Sequence, residues 1–318
     1  MKKLWCLFSV LALGFILGWF VFNHLVYQPG PLEDEVIVNV NRGASSQRVA
    51  EILAENDVIA NPLWFRILLK YKRADGNLKA GEYLFTPHLS MSDVLEKLCK
   101  GDVLYHKFTI PEGYTVGQVM YQLAQEDLLT GEFDNIPQEG EILPETYTFQ
   151  KDEQREIIIT KAVAAMRDKL QEIWENRDAD LPYKTAQEML IMASIIEKET
   201  GVGDERAKVA SVFVNRLRKG MLLQTDPTVI YALTEGKVEL DRPLTRKDLQ
   251  IDNPYNTYKY AGLPPTPICN PGSEALYAAA HPEQTDYLYF VANGTGGHNF
   301  AKTLKEHNDN VAYWKSIR

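Results

Sequence analysis

An α+β fold preceded by a single apolar N-terminal helix is what this 318-residue sequence predicts. An uncharged run from Leu4 to Phe22 opens the chain, broken only by Ser9 and two glycines. Short alternating stretches, Val36 to Val40 and Ala80 to Phe85, then sit between segments with apolar residues at helical spacing. The later half is dominated by longer helical patterns. With 45% hydrophobic and 10% aromatic residues the chain is globular, with room for about two domains. A net charge of -9 and a pI near 5.3 exclude the concentrated basic face of a nucleic-acid binder.

Lys2 and Lys3 precede the apolar run, and Glu33, Asp34 and Glu35 follow it. As a helix the run is long enough to cross a hydrocarbon core of roughly 30 Å. The positive flank predicts residues 1–3 in the cytoplasm, an anchor over 4–27 and the remainder outside. A cleaved signal peptide fits less well, because the run is too long and lacks an Ala-x-Ala-like site. Residues 28–35, with Pro29-Gly30-Pro31, read as a short stiff linker.

Beyond it, Val36 to Val40 is a strand broken by Gly43, and Ser45 or Ser46 caps a helix carrying Val49, Ile52, Leu53 and Ala54. Pro62 starts a second helix through Trp64, Phe65, Leu68 and Leu69. Ala80 to Phe85 is a second strand, and Ser90 to Lys100 a helix ended by Gly101. Together, 36–103 form one small α+β module, and 104–318 a larger second domain. Shifting the chain by seventy residues matches Gly43, Val49, Leu53, Ala54 and Asp57 with Gly113, Val119, Leu123, Ala124 and Asp127. Residues 104–135 therefore read as a second copy of the strand, Gly turn and helix unit. The first module resembles the LysM fold, with Leu78-Lys79-Ala80-Gly81-Glu82-Tyr83 as its closing turn and strand. That resemblance implies docking on N-acetylglucosamine-containing glycans, against the plainer reading of modules that merely pack on the main domain.

In the larger domain a helix spans about Gln154 to Trp174, and another runs from the Thr185/Glu188 cap to Glu199. On the latter, Ala186, Met189, Leu190, Ala193, Ile196 and Glu197 share one stripe at about 100° per residue. Glu197 thus ends an otherwise apolar face, whereas Glu199 lies about 200° further round. A carboxyl group against apolar neighbours loses hydration of its charged form, and its raised pKa suits a general acid. The competing reading is an ordinary last-turn Glu paired with Lys or Arg. Asp204 caps the next helix, which carries Val209, Val212, Phe213 and Leu217. Asp226 is the expected N-cap before Pro227. Asn253 to Gly272 reads as an irregular proline-rich loop whose Tyr255, Tyr258, Tyr260, Asn253 and Asn256 suit a sugar's apolar face and hydroxyl rim. Tyr287 to Ala292 is a strand, and Thr303 to Ile317 the closing helix.

Scattered histidines without His-Glu-x-x-His or a Cys/His cluster predict no metal, and no cofactor motif occurs. Cys99 and Cys269 are the one pair outside the apolar run, with no spacing that joins them. Carboxylate acid/base chemistry remains, and glycan cleavage fits the aromatic, amide-rich setting. An ordinary glycosidase needs a second carboxylate. Asp226 or Glu145 can serve, and Glu199 points away.

Five strings carry a closer likeness: Ala193-Ser-Ile-Ile-Glu-Lys-Glu-Thr200, Val209-Ala-Ser-Val-Phe-Val-Asn-Arg-Leu217, Leu223-Gln-Thr-Asp-Pro-Thr228, Tyr255-Asn-Thr-Tyr258 and Gly262-Leu-Pro-Pro265. Through them, and Asn270-Pro-Gly272, the chain resembles the endolytic murein transglycosylase, or YceG-like, family. The resemblance implies a single-pass inner-membrane enzyme facing the cell wall, with peptidoglycan strands as substrate and wall synthases as partners. It implies Glu197 as the catalytic residue, with bond cleavage that consumes no water and leaves 1,6-anhydromuramyl ends. Gln224, Asp226, Asn256, Tyr258 and Tyr147 are the expected substrate-binding candidates. A hydrolytic muramidase and a non-catalytic peptidoglycan tether are the alternatives.

Overall fold

The computed structural model describes residues 2–317. The side chains of Lys2, Lys3 and Cys6, on which part of the N-terminal reading rests, lie outside the described set. The chain divides into two compact units: residues up to 106 with 150–152, and residues 107–149 with 153 onward.

In the first unit, α1 (Lys2–Tyr27) contains a stretch, Ser9–Tyr27, whose mean hydropathy of 1.8 makes it long and apolar enough to cross a membrane. Most of its side chains are exposed, until Phe22 and Val26 enter the core of the unit. β1 (Val36–Val40) pairs antiparallel with β2 (Gly81–Phe85), placing Val38 opposite Tyr83 and Val40 opposite Gly81. Between them lie α2 (Ser46–Glu55) and α3 (Pro62–Tyr71). Of the two possible caps for α2, Ser45 is the one used, accepting from the Arg48 N–H at 3.2 Å. α4 (Met91–Lys100) closes the unit with a reciprocal Ser90/Asp93 capping box and ends at Gly101, whose φ of 72° is the left-handed conformation glycine accommodates. Tyr83, Phe65, Phe85 and Leu53 are buried at its centre.

The second unit begins within β3 (His106–Thr109), which leads through a left-handed Gly113 into α5 (Val116–Ala124), N-capped by Thr115. β4 (Thr146–Phe149) pairs with β3, and Phe108, Leu123, Ile142 and Phe149 pack with the first turns of α6 (Glu156–Glu175). The larger core surrounds α7 (Ala186–Glu199). Against it pack α8 (Arg206–Arg218), α9 (Asp226–Thr234) and α10 (Ser273–Ala280). A hairpin of β5 (Tyr289–Ala292) and β6 (His298–Ala301), in register Phe290 to Phe300, and α11 (Leu304–Ser316) complete the unit.

Several local expectations change. No side chain caps α8. A 3-10 turn over Gly203–Glu205 precedes it, and Glu205 instead binds His298 through the backbone N–H at 3.0 Å and Nδ1 at 2.8 Å. Asp226 is the first residue of α9, not its cap, and Thr225 holds the cap position. β4, α10 and β6 are elements that the sequence pattern does not predict. The Pro271-Gly272 stop and the run Ala278 to Ala280 were usable signals for α10, whose small side chains pack closely on α7. Cys99 and Cys269 are free thiols.

Candidate active site

α7 forms where it does because Thr185 caps its first turn and nothing between Met189 and Ile196 competes for water. Those eight residues are buried on every side of the helix, so the apolar stripe does not single out one face. Ser194 fixes the neighbouring chain, donating to Ile191 O at 2.7 Å and accepting from the Ile268 N–H at 3.1 Å. At the C-terminal end the helix releases Glu197 and Glu199 in different directions, where the helix dipole disfavours both negative charges.

Glu197 meets the start of α10. Its Oε2 accepts from the Gly272 N–H at 2.9 Å, while Lys198 Nζ donates to Gly113 O at 3.3 Å. Glu112 and Arg206, which pair at 3.7 Å, stand nearby. Burial pushes the Glu197 carboxyl up, and the Gly272 N–H opposes this. Glu112 adds to the rise, whereas Arg206 and Lys198 counter it.

Glu199 lines a cleft of about 500 Å³ together with Arg216, Gln224, Asp226, Tyr258, Tyr289 and His307. The Thr225 hydroxyl donates to Glu199 Oε1. Residues 224 and 225 are held by the loop opposite, the Gln224 N–H donating to Thr257 O at 3.1 Å and the Thr225 N–H to Thr257 Oγ1 at 3.1 Å. Gln224 takes a φ of 49°, an unfavourable conformation for a side chain without special need of it, and such strain concentrates at functional sites. Tyr258 donates its hydroxyl to Asp226 Oδ1 at 2.6 Å, and burial raises the phenol further out of its ordinary range. Arg216 is buried at the cleft floor, donating to Leu288 O at 2.7 Å and Leu223 O at 2.6 Å, with its guanidinium 5.3 Å from the Tyr289 ring centroid. His307 stacks on the Tyr289 ring with centroids 5.2 Å apart; its buried Nδ1 has no hydrogen-bond partner among the described residues, and burial, with Arg216, lowers its pKa.

Burial is the largest influence on Glu199 and raises its pKa. The Thr225 hydroxyl lowers it, Asp226 raises it, and His298 and Arg216 lower it. The cleft therefore offers one desolvated carboxyl able to hold a proton, with amide, phenol and guanidinium groups around it.

Gln224, Asp226 and Tyr258 are thus brought together, around Glu199 instead of Glu197. Asn256 is not among them. It is fully buried, its amide nitrogen donating to Leu249 O at 3.1 Å and Ile251 O at 2.9 Å and its oxygen accepting from the Tyr258 N–H at 3.0 Å. It shapes the loop that presents Tyr258. Tyr147 is also buried, with its hydroxyl committed to Leu143 O at 2.7 Å in the α5/α6 core. Glu145 is exposed at the start of β4, outside the cleft lining. Arg216, Thr225, Tyr289 and His307 gained no role from sequence patterning. Within α8, Arg216 is one of four cations with Arg206, Lys208 and Arg218, and the sequence pattern does not set it apart. Among the described residues no group of three or more His, Cys, Asp or Glu side chains converges to hold a metal.

The YceG-like family model matches residues 38–313. An endolytic murein transglycosylase of Bacillus subtilis is 36% identical over 324 residues, covering 92% of this chain and 88% of that protein. A protein of the same name from Streptococcus pneumoniae is 29% identical over 93% of this chain and 62% of its own length. A crystal structure of a YceG-like protein from Listeria monocytogenes shares 36% identity, covering 87% of this chain and 98% of that one, with a TM-score of 0.52. A match across nearly the whole chain, joined to the cleft that its most distinctive strings build, places this protein in the YceG-like family.

Proposed function

We propose that this chain is an endolytic peptidoglycan transglycosylase with Glu199 as its acid/base. The observation that carries the residue assignment is the gathering of Gln224, Asp226, Tyr258 and Arg216 around a desolvated Glu199 carboxyl. The relatives' names supply the substrate class. Protonated Glu199 donates to the glycosidic oxygen as the bond from muramyl C1 breaks. The resulting carboxylate then takes the proton of the muramyl 6-hydroxyl as that oxygen closes on C1, which regenerates the acid and leaves a 1,6-anhydro end. No water is consumed and no second carboxylate is required. Arg216 stabilises the carboxylate form between the two transfers, and Gln224 and Tyr258 orient the sugar. Glu197, in this reading, ties α7 to the start of α10.

A hydrolytic muramidase is the second reading, favoured by Asp226 in the same cleft, where it could activate water. Purified protein acting on uncrosslinked glycan distinguishes the two by mass spectrometry of the new ends: anhydro products are one water lighter than reducing ends. Intact strands in that digest would instead favour a non-catalytic tether.

The same proposal includes α1 as an uncleaved inner-membrane anchor with the folded units outside the cytoplasm, supported by its length and hydropathy. The unit built on β1 and β2 acts as a LysM-like glycan-docking module, residues 104–318 as the catalytic domain, and wall synthases are the expected partners. Cutting within nascent strands would limit their length.

A further inference from the structure

The outward face of α3 is unusual for a helix of a small α+β unit. Phe65, Leu68 and Leu69 fill the core, yet Leu63, Ile67 and Tyr71 remain 57%, 38% and 54% exposed. Spaced four residues apart, these three form one stripe on the solvent side. Alongside it run Arg66 and Lys70, with Lys72 and Arg73 just beyond the helix end. No acidic residue occurs between Asp57 and Asp75, in a chain whose net charge is -9.

The other edge of this stripe touches α1. The Tyr71 ring lies 5.6 Å from Trp19 and 5.7 Å from Phe22, and Trp64 lies 6.3 Å from Phe22. Aromatic side chains at the end of a spanning helix favour the boundary between hydrocarbon and headgroups. α3 is therefore fastened to the anchor at that depth. A helix with an apolar centre and cations at its edge suits insertion among anionic headgroups.

We propose that α3 lies in the interface of an anionic phospholipid bilayer, with Leu63, Ile67 and Tyr71 among the upper acyl segments and Arg66 and Lys70 at phosphate level. This rests on the anchor reading of α1, whose continuity with α3 selects lipid as the occupant. The helix would hold its unit at a set orientation on the membrane surface, a constraint that a flexible tether would not impose.

The full chain, with Cys6 and Cys99 replaced by serine, is reconstituted in phosphatidylcholine vesicles with and without phosphatidylglycerol. The buried Cys269 escapes labelling. Nitroxide labels at Ile67→Cys, at Gln47→Cys on exposed α2 and at Phe15→Cys in the anchor are tested for collision with lipid-soluble oxygen and a water-soluble nickel chelate. The expected result is an oxygen preference several-fold higher at position 67 than at 47, strongest with phosphatidylglycerol. Arg66→Glu with Lys70→Glu should weaken interfacial residence about fivefold per cation. Equal, water-like values at 67 and 47 with a lipid-exposed label at 15 would overturn the inference and leave the anchor standing. A label at 67 shielded from both reagents would show a protein contact there and overturn it also. Water exposure at 15 would remove the anchor itself, and the inference with it. None of these readouts depends on glycan cutting.

Discussion

Tyr258 donates its hydroxyl to the Asp226 carboxylate at 2.6 Å, across 32 residues of chain, so that the irregular loop and the first turn of α9 form one wall of the cleft. That contact replaces the helix-capping role expected of Asp226. Tyr258→Phe keeps the ring and removes the donor. A hydrogen bond to a charged group is worth about 1.5–3 kcal/mol, so glycan cutting should fall roughly tenfold or more, with the fold retained by circular dichroism. Unchanged kcat and KM would show that the wall does not depend on this bond.

The two carboxyl groups ending α7 make opposite predictions. Glu199→Gln removes the proton that the mechanism moves and should reduce cutting by about 10²–10⁴-fold. Glu197→Gln keeps an oxygen for the Gly272 N–H and should retain most activity. Release of soluble anhydromuramyl fragments measures both, and the reverse ranking would return the acid role to Glu197.

Burial is the main cause of the raised Glu199 pKa, and Asp226 adds to it because two negative charges in one cleft disfavour each other. Activity requires the protonated acid, so kcat/KM should decline as pH rises through the Glu199 pKa. Asp226→Asn removes the repulsion, lowers that pKa and moves the alkaline limb of the profile to lower pH. A limb that stays in place in the variant would show that Glu199 is not the titrating group.

Glu139 provides a stability test away from the cleft. Burial pushes its carboxyl up to about 7, against the Val116 N–H and Tyr231 hydroxyl that favour ionisation. Its raised value means that its contribution is fully present below about 4.5 and lost as pH rises through about 7. Glu139→Gln should flatten this dependence, and the difference between the proteins should grow by at most about 3 kcal/mol between acid and mildly alkaline conditions. Chemical denaturation across that range measures it. Parallel pH curves for the two proteins would contradict the assignment.

Most helix starts were legible because a cap acts within three residues of itself: Ser90, Thr115, Thr185 and Thr303 each accept a nearby backbone N–H. The pattern fails for Asp204, which lies in the 3-10 turn and does not cap α8, and for Asp226, whose carboxylate takes Tyr258 as a distant partner. The candidates for sugar contact were chosen by residue type. Chemical type alone does not separate Tyr258, at the cleft surface, from Asn256, whose amide is consumed two residues away in holding the loop.

From its sequence alone the chain determined the apolar N-terminal helix, the local turns and caps, the family and the α7 segment whose end holds both candidate carboxyl groups. Each depends on composition or on neighbours a few residues apart. Which carboxyl group faces the cleft was decided only by tertiary structure. α7 is wrapped on all sides, so its hydrophobic pattern has no open face to report, and Glu199 acquires its setting from Arg216, Thr225 and Asp226 only after distant segments have packed together.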